Sequence, residues 1–336
     1  MRKRASIVAG ATGVLIAAAI IRKRRKYDLF GKNVFIAGGS RGLGLLLAEE
    51  FSRRGARVAI CARDSDELER ARIALQRKGH DVFTILCDLS VEDEVARAIK
   101  STRESLGSLD VLVNNAGTIS VGPMEVMNLH DYQESLDTHF WGPLYATLAV
   151  LPDMRRRGEG RIVNISSIGG KIAVPHLLPY CAGKFALTGF SEGLRAEAIK
   201  DHIYVTTVCP GLMRTGSPRN AKFKGQHRAE YAWFSISDAL PPFSMSARRA
   251  ARKIVRACVQ GKAEVILSLP AKLAAKLYAL FPGISADLLG LVNRVLPPAG
   301  DADSEAHLGS ESFSALSPSP ITVLNERAAG RNNEVA

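Results

Sequence analysis

Short apolar runs alternate with amphipathic stretches through most of the chain. Seven of these runs carry apolar residues at consecutive positions rather than at every second one. A strand that is buried on both faces, as in a parallel sheet, gives such a continuous run. The pattern therefore predicts seven buried strands, at residues 33–38, 57–62, 81–89, 109–117, 161–167, 203–211 and 263–269.

The stretches between the first strands have helical spacing. Residues 43–54, 66–78 and 91–106 are helical in pattern, and Ser90 is a suitable N-cap ahead of acidic residues in the first turn of the third. Parallel strands joined by helices form right-handed crossovers that cover both faces of a sheet. We therefore predict one α/β domain, a doubly wound parallel sheet of about seven strands.

The predicted domain spans residues 27–297, with its core at 31–270. Within it, residues 212–247 interrupt the strand–helix rhythm with prolines and aromatic residues, which is typical of a substrate lid or pocket wall that also packs on the body. Two amphipathic segments follow, and they are suited to capping the fold, pairing with a second subunit or touching a membrane. Residues 298–336 contain few aromatic residues and much Ser, Gly and Pro, so we predict a disordered tail.

Basic charge is concentrated at the N-terminus. The chain has 336 residues, an ordinary hydrophobic content of 46% and a net charge of +12. Residues 1–26 hold eight basic residues and no acidic residue. A nucleic-acid-binding domain would instead carry its basic residues as a patch on a folded surface. The distribution therefore argues against nucleic acid as a partner.

An uncharged apolar run lies between the two N-terminal basic clusters. As a helix, residues 5–21 would span about 25 Å, the short end of the membrane-crossing range. The basic cluster after the run argues against a cleaved signal peptide, and the absence of a polar face argues against an interfacial helix. We predict that residues 1–26 form a single-pass membrane anchor with the main domain facing the cytoplasm. Peripheral attachment stays open as the alternative.

The five cysteines are scattered and form no CxxC pair. Cys61, Cys87 and Cys209 lie in apolar runs, where cysteine usually behaves as a small buried hydrophobic residue. The spacing therefore predicts neither a disulfide framework nor a metal site.

Residues 37–44 read AGGSRGLG and connect the first predicted strand to the first predicted helix. Glycine lets the backbone approach a pyrophosphate closely, and the N-terminus of the following helix stabilises its negative charge. A tight turn that binds nothing is the alternative. With a strand before it and a helix after it, the turn predicts a dinucleotide site in a Rossmann-type sheet, with Gly38, Gly42 and Gly44 at its centre.

The end of the second strand bears on which nucleotide is bound. Many NAD-binding sheets carry an acidic residue there, which holds the ribose 2′-hydroxyl. Here the strand ends at Ala62 and Arg63, and Arg63 is suited to pairing with a 2′-phosphate, with Arg41 of the glycine turn on the other side. We therefore predict NADP(H) as the cofactor, with NAD less favoured. Asp64 follows immediately, which leaves a contact with the ribose open.

Residues 180–184 read YCAGK, so Tyr180 and Lys184 are four positions apart. On a helix, two such residues share a face. The pKa of a free tyrosine is about 10, and a neighbouring ammonium lowers it towards the range useful for proton transfer. An amphipathic tyrosine beside a solvated lysine is the purely structural alternative.

Several motifs follow one another in a familiar order: GGSRGLG, then CDL at 87–89, NNAG at 114–117, ISS at 165–167, YCAGK, and PGLMRT at 210–215. In this order they resemble the classical short-chain dehydrogenases/reductases, over roughly residues 31–270. The resemblance implies a nicotinamide-dependent oxidoreductase in which Tyr180 is the general acid or base. It also implies that Lys184 is the partner of the tyrosine and that Ser167 is the second hydrogen-bond donor to the substrate oxygen.

The same resemblance assigns the cofactor contacts. It places the pyrophosphate on the glycine turn, the adenine beside Asp88 and Leu89, and the nicotinamide beside residues 210–215. The implied contacts are Gly38, Ser40, Arg41, Gly42, Leu43, Gly44, Arg63, Asp88, Leu89, Asn115, Ala116, Gly117, Tyr180, Lys184, Pro210, Gly211 and Thr215.

One position departs from the family pattern. The family has a fourth catalytic residue, an asparagine that helps to hold a water in a proton relay to the lysine, and His139 stands at the matching position here. A histidine can also donate and accept hydrogen bonds, so the relay can be kept. A histidine that became charged would instead repel Lys184. A histidine that only packs is the structural alternative.

The leading functional hypothesis is a membrane-anchored, NADP(H)-dependent enzyme that interconverts a carbonyl and a secondary alcohol. The apolar insertion and the predicted anchor favour a lipophilic small-molecule substrate. The alternative is a nucleotide-binding sensor or scaffold at the membrane with little turnover, for which His139 is the only support. Family members commonly assemble into homo-oligomers, which we expect here by analogy.

Overall fold

The computed structural model describes residues 27–241, 243–300 and 304–335. The predicted membrane anchor, residues 1–26, lies outside the described residues. Within the described ranges, no helix combines the length and the apolar character that crossing a membrane requires.

Seven parallel strands form the central sheet, as the apolar runs predicted. The strands are β1 (Asn33–Ala37), β2 (Arg57–Ala62), β3 (Val82–Leu86), β4 (Val111–Asn114), β5 (Gly160–Ile165), β6 (Ile203–Cys209) and β7 (Glu264–Ile266). Most of them end one to three residues before the predicted limit. Their order in the sheet is β7-β6-β5-β4-β1-β2-β3, so the chain starts in the middle of the sheet and winds outwards in both directions.

Helices connect the strands and cover both faces of the sheet. A five-residue π-helical turn, Asp137–Trp141, follows the fourth helix directly and leads into the fifth. The helices are α1 (Gly42–Ser52), α2 (Ser65–Gln76), α3 (Glu92–Leu106), α4 (Leu129–Leu136), α5 (Gly142–Arg157), α6 (Leu178–Ala198), α7 (His227–Ala239), α8 (Ala247–Val259), α9 (Leu269–Leu280), α10 (Pro282–Asn293) and α11 (Val323–Arg331).

The core lies in two layers, one on each face of the sheet. Strand β1 is completely buried, and its side chains alternate between the layers because successive strand residues point to opposite faces. Val34 and Ile36 pack in the layer formed with α1 and α8. Phe35 and Ala37 pack in the layer formed with α3 and α5. This two-sided burial explains why the strands appear in the sequence as unbroken apolar runs.

The predicted cysteine environments are observed. Cys61, Cys87 and Cys209 lie at strand ends in or beside the core, and each is a free, buried thiol.

The segment 212–247 packs against the body of the domain. Phe223, Tyr231 and Phe234 form a third apolar cluster with residues that include Val121 and Leu177. The cluster joins α7 to the loop that precedes α6. The insertion is therefore fixed against the carboxyl ends of the strands, the edge at which sheets of this kind bind their ligands.

The predicted disorder of residues 298–336 is wrong for the part that the structure describes. His307–Leu308 pairs with Lys222–Phe223 as an antiparallel strand, and α11 follows. Polar residues in this segment are almost fully buried: Ser312, Ser317, Thr322, Asn325 and Glu334. The composition suggested disorder because the segment has no apolar core of its own. It is held instead by hydrogen bonds to the domain.

The two predicted amphipathic segments form α9 and α10, which pack against each other as a hairpin. Large apolar side chains of the hairpin are unusually exposed, including Leu273 at 53%, Leu277 at 56% and Leu288 at 57%. Lys272 and Lys276 lie on the same hairpin. An apolar helix pair with so much uncovered surface needs a further surface to pack against.

Candidate functional site

The glycine turn has the geometry that close approach to a ligand requires. Gly38 and Gly42 have φ values of +76° and +57°, in the left-handed region that favours glycine. A Cβ atom at position 44 would lie 1.9 Å from the carbonyl oxygen of Gly38, so a side chain there would collide with the backbone. The turn thus presents bare backbone at the N-terminus of α1. It fits a pyrophosphate by this geometry.

The NNAG segment braces the same turn. Asn115 Nδ2 donates to the carbonyl oxygen of Gly38 at 2.7 Å, and a Cβ on Gly38 would lie 2.6 Å from Ala116 Cα. Both residues therefore belong to the scaffold of the cleft. Leu43 and Leu89, predicted as contacts, are buried beside it.

Two acidic residues, Glu67 and Asp88, lie close to the two arginines that were predicted to bind a 2′-phosphate. Arg41 donates to Glu67 Oε1 at 2.6 Å, so its charge is already paired. Ser40 Oγ donates to the same carboxylate at 3.0 Å. Arg63 is 66% exposed at the end of β2 and only 3.9 Å from Asp88, which makes it the less committed of the two arginines.

The open alternative for Asp64 now has a structural answer. Its side chain accepts a hydrogen bond from the backbone N–H of Glu67 at 2.8 Å, as the N-cap of α2. An aspartate in this role satisfies an otherwise unpaired helix donor. Asp64 is therefore engaged in capping in this structure.

Tyr180 and Lys184 share a helix face as their spacing predicted, and Ser167, which the family resemblance implied, lies beside them. Ser167 follows β5 and caps a short 3₁₀ turn, with its Oγ accepting from the backbone N–H of Gly169 at 3.0 Å. Tyr180 and Lys184 lie on one face of α6. The Tyr180 hydroxyl hydrogen-bonds to Ser167, and Lys184 Nζ is 5.7 Å from the centre of the tyrosine ring.

Burial controls the protonation of this group. Burial raises the pKa of Tyr180, and the hydrogen bond to Ser167 acts in the opposite direction. Burial also lowers the pKa of Lys184 to about 7. The spacing of the two residues predicts instead that the lysine lowers the tyrosine pKa. In this structure desolvation of the phenolate is the larger effect, so Tyr180 is a protonated acid at neutral pH.

His139 lies in the π-helical turn directly behind this group. The residue is completely buried, and its ring meets the Tyr180 ring edge-on at 5.3 Å between centres. Burial is the main cause that holds the pKa of His139 well below its ordinary value, and the charge of Lys184 adds to it. The histidine is therefore neutral, so it does not repel Lys184 as a charged ring would.

Ser135 is the functional residue that sequence reasoning missed. Its Oγ donates to the carbonyl oxygen of Pro179 at 2.6 Å and lies 3.1 Å from His139 Nδ1. The hydroxyl proton is used on Pro179, so the histidine nitrogen must be the donor in the second contact. The four-residue spacing of Ser135 and His139 was the available signal.

The His139 Nε2 atom faces the lysine side of the site. The other nitrogen carries the proton, so Nε2 is an acceptor, and it is buried without a hydrogen-bond partner among the described residues. A Cβ at Gly117 would lie 3.0 Å from this atom and 3.6 Å from Lys184 Nζ. Gly117 thus keeps a small space open between the histidine and the lysine. The Lys184 ammonium donates to the carbonyl oxygen of Ile165 at 2.9 Å.

The predicted nicotinamide segment, residues 210–215, is held by the loops around it. The carbonyl of Pro210 accepts from Ile168 N at 2.7 Å, and Gly211 packs against Ser268. Asp238 of the insertion accepts from Met213 N at 3.2 Å, and burial raises the pKa of this carboxyl to about 7. Thr215 is buried, and its carbonyl accepts from Asn332 Nδ2 at 2.9 Å.

The last contact comes from a segment that was predicted to be disordered. The carbonyl of Asn332 accepts from the backbone N–H of Gly42 at 2.8 Å. A Glu334 carboxylate oxygen lies against Gly42, where a Cβ would come within 2.5 Å of it. The Gly42 N–H thus binds a carbonyl oxygen and a carboxyl group lies beside it, which is a second sign that the turn accommodates an oxygen-rich group such as a phosphate.

Comparisons with known proteins agree with this geometry. A family model described as short chain dehydrogenase matches residues 32–224. A protein of Anopheles gambiae named dehydrogenase/reductase SDR family protein 7-like is 36% identical over 259 residues, which is 75% of this chain and 80% of that protein. A protein of Arabidopsis thaliana named 11-beta-hydroxysteroid dehydrogenase 1A is 37% identical over 203 residues, 59% of this chain and 57% of that one.

A solved structure has the same architecture. The crystal structure of a putative short-chain alcohol dehydrogenase from Sinorhizobium meliloti 1021 aligns with a TM-score of 0.63 at 25% identity. The alignment covers 71% of this chain and 95% of that one.

Proposed function

The chain belongs to the short-chain dehydrogenase family, whose members are oxidoreductases acting on CH–OH groups, and we propose that it interconverts a carbonyl and a secondary alcohol with NADP(H). The observation that carries the proposal is the Tyr180 hydroxyl, bonded to Ser167 and backed by a buried Lys184. A protonated tyrosine in this position can give its proton to a carbonyl oxygen. Ser167 is placed to donate a second hydrogen bond as negative charge develops on that oxygen.

The bound nicotinamide would supply the hydride that the carbonyl carbon accepts. The residues to hold it are those of the glycine turn, the NNAG segment and residues 210–215. Tyr180 then loses its proton to the substrate oxygen in the reducing direction. The buried phenolate that remains is unfavourable, and the Lys184 ammonium is the nearest charge that can stabilise it. With a pKa of about 7, Lys184 can both carry and release a proton near neutral pH.

We assign to His139 the task that an asparagine has in the family. Neutral Nε2 can accept a hydrogen bond from a water placed beside Gly117 or from Lys184 itself. Either arrangement would orient the Lys184 ammonium and give a proton a hydrogen-bonded path to it. A neutral histidine at this place supports turnover over a sensor without turnover, because a neutral ring does not repel Lys184.

For the nucleotide, we propose NADP(H) rather than NAD(H). The exposed guanidinium of Arg63 supports this choice, because it lies at the end of β2, where a 2′-phosphate would be recognised. The engagement of Asp64 as an N-cap supports it as well, since that carboxylate is not directed at a ribose hydroxyl.

We propose a lipophilic substrate and attachment to a membrane. The exposed leucines of the α9–α10 hairpin, with Lys272 and Lys276 beside them, support contact with a lipid surface. The apolar run at residues 5–21 supports an anchor that leaves the catalytic domain on the cytoplasmic side. One similar protein is named for a hydroxysteroid, which is a lipophilic alcohol. The insertion at 212–247 would then cover such a substrate.

The test is nucleotide oxidation by the purified protein with a panel of lipophilic ketones, using NADPH and NADH in parallel. We expect turnover with NADPH that Tyr180→Phe abolishes while nucleotide binding is kept. Binding of NADPH without its oxidation by any ketone of the panel would contradict the proposed activity.

A further inference from the structure

Residues 332–334, which we call the strap, lie along the cleft that the proposed function gives to the dinucleotide. The helix α11 ends at Arg331, and Asn333 turns the chain with a φ of +58°. The strap then runs alongside the glycine turn. Asn332 and Glu334 are buried, at 6% and 8% exposure, and Asn333 between them is partly exposed.

The strap uses the groups that a pyrophosphate would use. The N–H of Gly42 has no partner within α1, as is usual for the first turn of a helix. It donates instead to the carbonyl oxygen of Asn332. The Glu334 carboxylate lies against Gly42 and 3.5 Å from Arg41 Nε. A carbonyl oxygen and a carboxyl group thus occupy the place where a helix N-terminus binds phosphate.

The contacts extend to both ends of the cleft. Towards the nicotinamide end, Asn332 Nδ2 donates to the carbonyl of Thr215. Towards the ribose end, Asn333 Nδ2 donates to the carbonyls of Ser40 and Glu67, at 2.9 and 3.0 Å. Asn220 holds the Glu334 carboxylate from the insertion, at 2.7 Å. A bound dinucleotide would compete for the Gly42 N–H and for the space along this path, whereas the three carbonyls serve to hold the strap across the cleft.

We propose that the strap is an internal competitor of the dinucleotide, so that it must leave the glycine turn before NADP(H) can bind. The inference rests on the proposed nucleotide site. It assigns the chain two forms, one with the strap on the glycine turn and one with the turn free. The apparent Kd is then the intrinsic Kd divided by the fraction of molecules in which the turn is free.

The strap is built to be released. Burial raises the pKa of Glu334 to about 7, with Arg41 and Asn220 lowering it and Glu67 raising it, so holding this carboxylate ionised costs free energy. The rest of the tail has separate attachments: Arg219 binds Glu326 at 3.0 Å, and Gly216 packs closely on Ala329. Only the few residues after α11 need to move.

Nucleotide affinity tests the proposal directly. In the full chain, the double variant Asn333→Ala, Glu334→Ala removes the side-chain contacts of Asn333 and Glu334 and leaves those of Asn332 in place. We expect the Kd for NADPH, followed by the fluorescence of the nucleotide, to fall at least about fivefold because the competent fraction rises. Val335→Ala, on the exposed neighbour of Glu334, is the matched control and should leave the Kd unchanged.

Amide hydrogen exchange gives a second readout that needs no turnover. Without nucleotide, the amides of Asn332, Glu334 and Gly42 should be protected, because each donates a backbone hydrogen bond. With saturating NADPH, the amide of Glu334 should exchange faster as the strap leaves, while Gly42 stays protected by the nucleotide. Unchanged protection of Glu334 at saturation would overturn the inference.

The outcomes separate the inference from the proposed function. If wild type and double variant bind NADPH with equal Kd, the strap is no competitor although the nucleotide site stands. If the double variant binds and wild type does not, the inference holds in its strongest form. If neither binds NADPH or NADH, the nucleotide site and the inference both fall.

Discussion

Ser135 fixes the tautomer of His139. The serine hydroxyl gives its only proton to the carbonyl of Pro179, at 2.6 Å, and therefore accepts from His139 Nδ1 at 3.1 Å. The opposite nitrogen, Nε2, is left as an acceptor on the side of Lys184. A serine one helical turn upstream thus leaves His139 with an acceptor nitrogen facing Lys184, which is what a relay to the lysine needs.

We predict that Ser135→Ala lowers kcat about fivefold, which corresponds to the loss of one hydrogen bond of about 1 kcal/mol in the reacting state. The variant should also change the pH dependence of kcat, because the histidine can then adopt the other tautomer. Ser52→Ala is the control, since the Ser52 hydroxyl is buried without a partner among the described residues and far along the chain from the site. An unchanged pH profile in Ser135→Ala would contradict the positioning role.

We predict that His139→Asn changes kcat by less than about tenfold, since an amide can also accept a hydrogen bond where Nε2 does. His139→Leu, which keeps bulk and removes the acceptor, should be slower than His139→Asn. Steady-state rates with NADPH at several pH values check this. A complete loss of activity in His139→Asn would show that the histidine does chemistry that an amide cannot supply.

The fold could be predicted because burial on both faces leaves a direct trace in the sequence. Phe35 and Ile36 sit in different layers of the core, yet both are apolar, so the strand is visible as a run. Tyr180 and Lys184 were recognisable from their helical spacing. Their protonation was not, because the pKa of each depends on how far neighbouring elements exclude water.

The strap and the Ser135 contact could not be predicted for a different reason, which is that each depends on contacts between residues far apart in the sequence. Glu334 follows a polar tail, and nothing in its neighbours indicates that its carboxylate meets Gly42, which is nearly the whole chain away. In the sequence, Ser135 is an ordinary helical serine. Only the structure shows that its hydroxyl donates to the carbonyl oxygen of Pro179. Asp64 shows the same limit, because capping and ribose binding require the same residue type at the same place.

We predict that the free energy of unfolding depends on pH through Lys184. Its pKa is about 7 in the folded chain and about 10.5 when unfolded, so between these values the unfolded chain binds more protons and stability rises with pH. The stability of wild type should therefore rise relative to Lys184→Met by up to about 1.4 kcal/mol per pH unit between pH 7 and 9. Urea unfolding of both proteins at several pH values measures this difference. A constant difference would mean that the buried amine keeps its ordinary pKa.

We predict that Arg63→Gln raises the Kd for NADPH about tenfold or more and leaves the Kd for NADH within about twofold, since one charge-assisted hydrogen bond to a 2′-phosphate is lost. Arg57→Gln removes an exposed arginine from the other end of the same strand and serves as the control. Equal effects on both nucleotides would assign the preference elsewhere, with Arg41 the next residue to test.

We predict that the α9–α10 hairpin enters the lipid surface when the full chain is bound to a membrane. A helix of twelve residues is about 18 Å long, too short to cross a bilayer, so its exposed leucines can be covered only within one leaflet. Leu277→Trp should add fluorescence that brominated lipids quench in vesicles containing anionic lipid. Leu129→Trp, at a leucine that is 82% exposed on α4, should add fluorescence that they do not quench. Quenching of both would indicate non-specific adsorption, and quenching of neither would leave the hairpin facing water and remove it from the membrane-bound face.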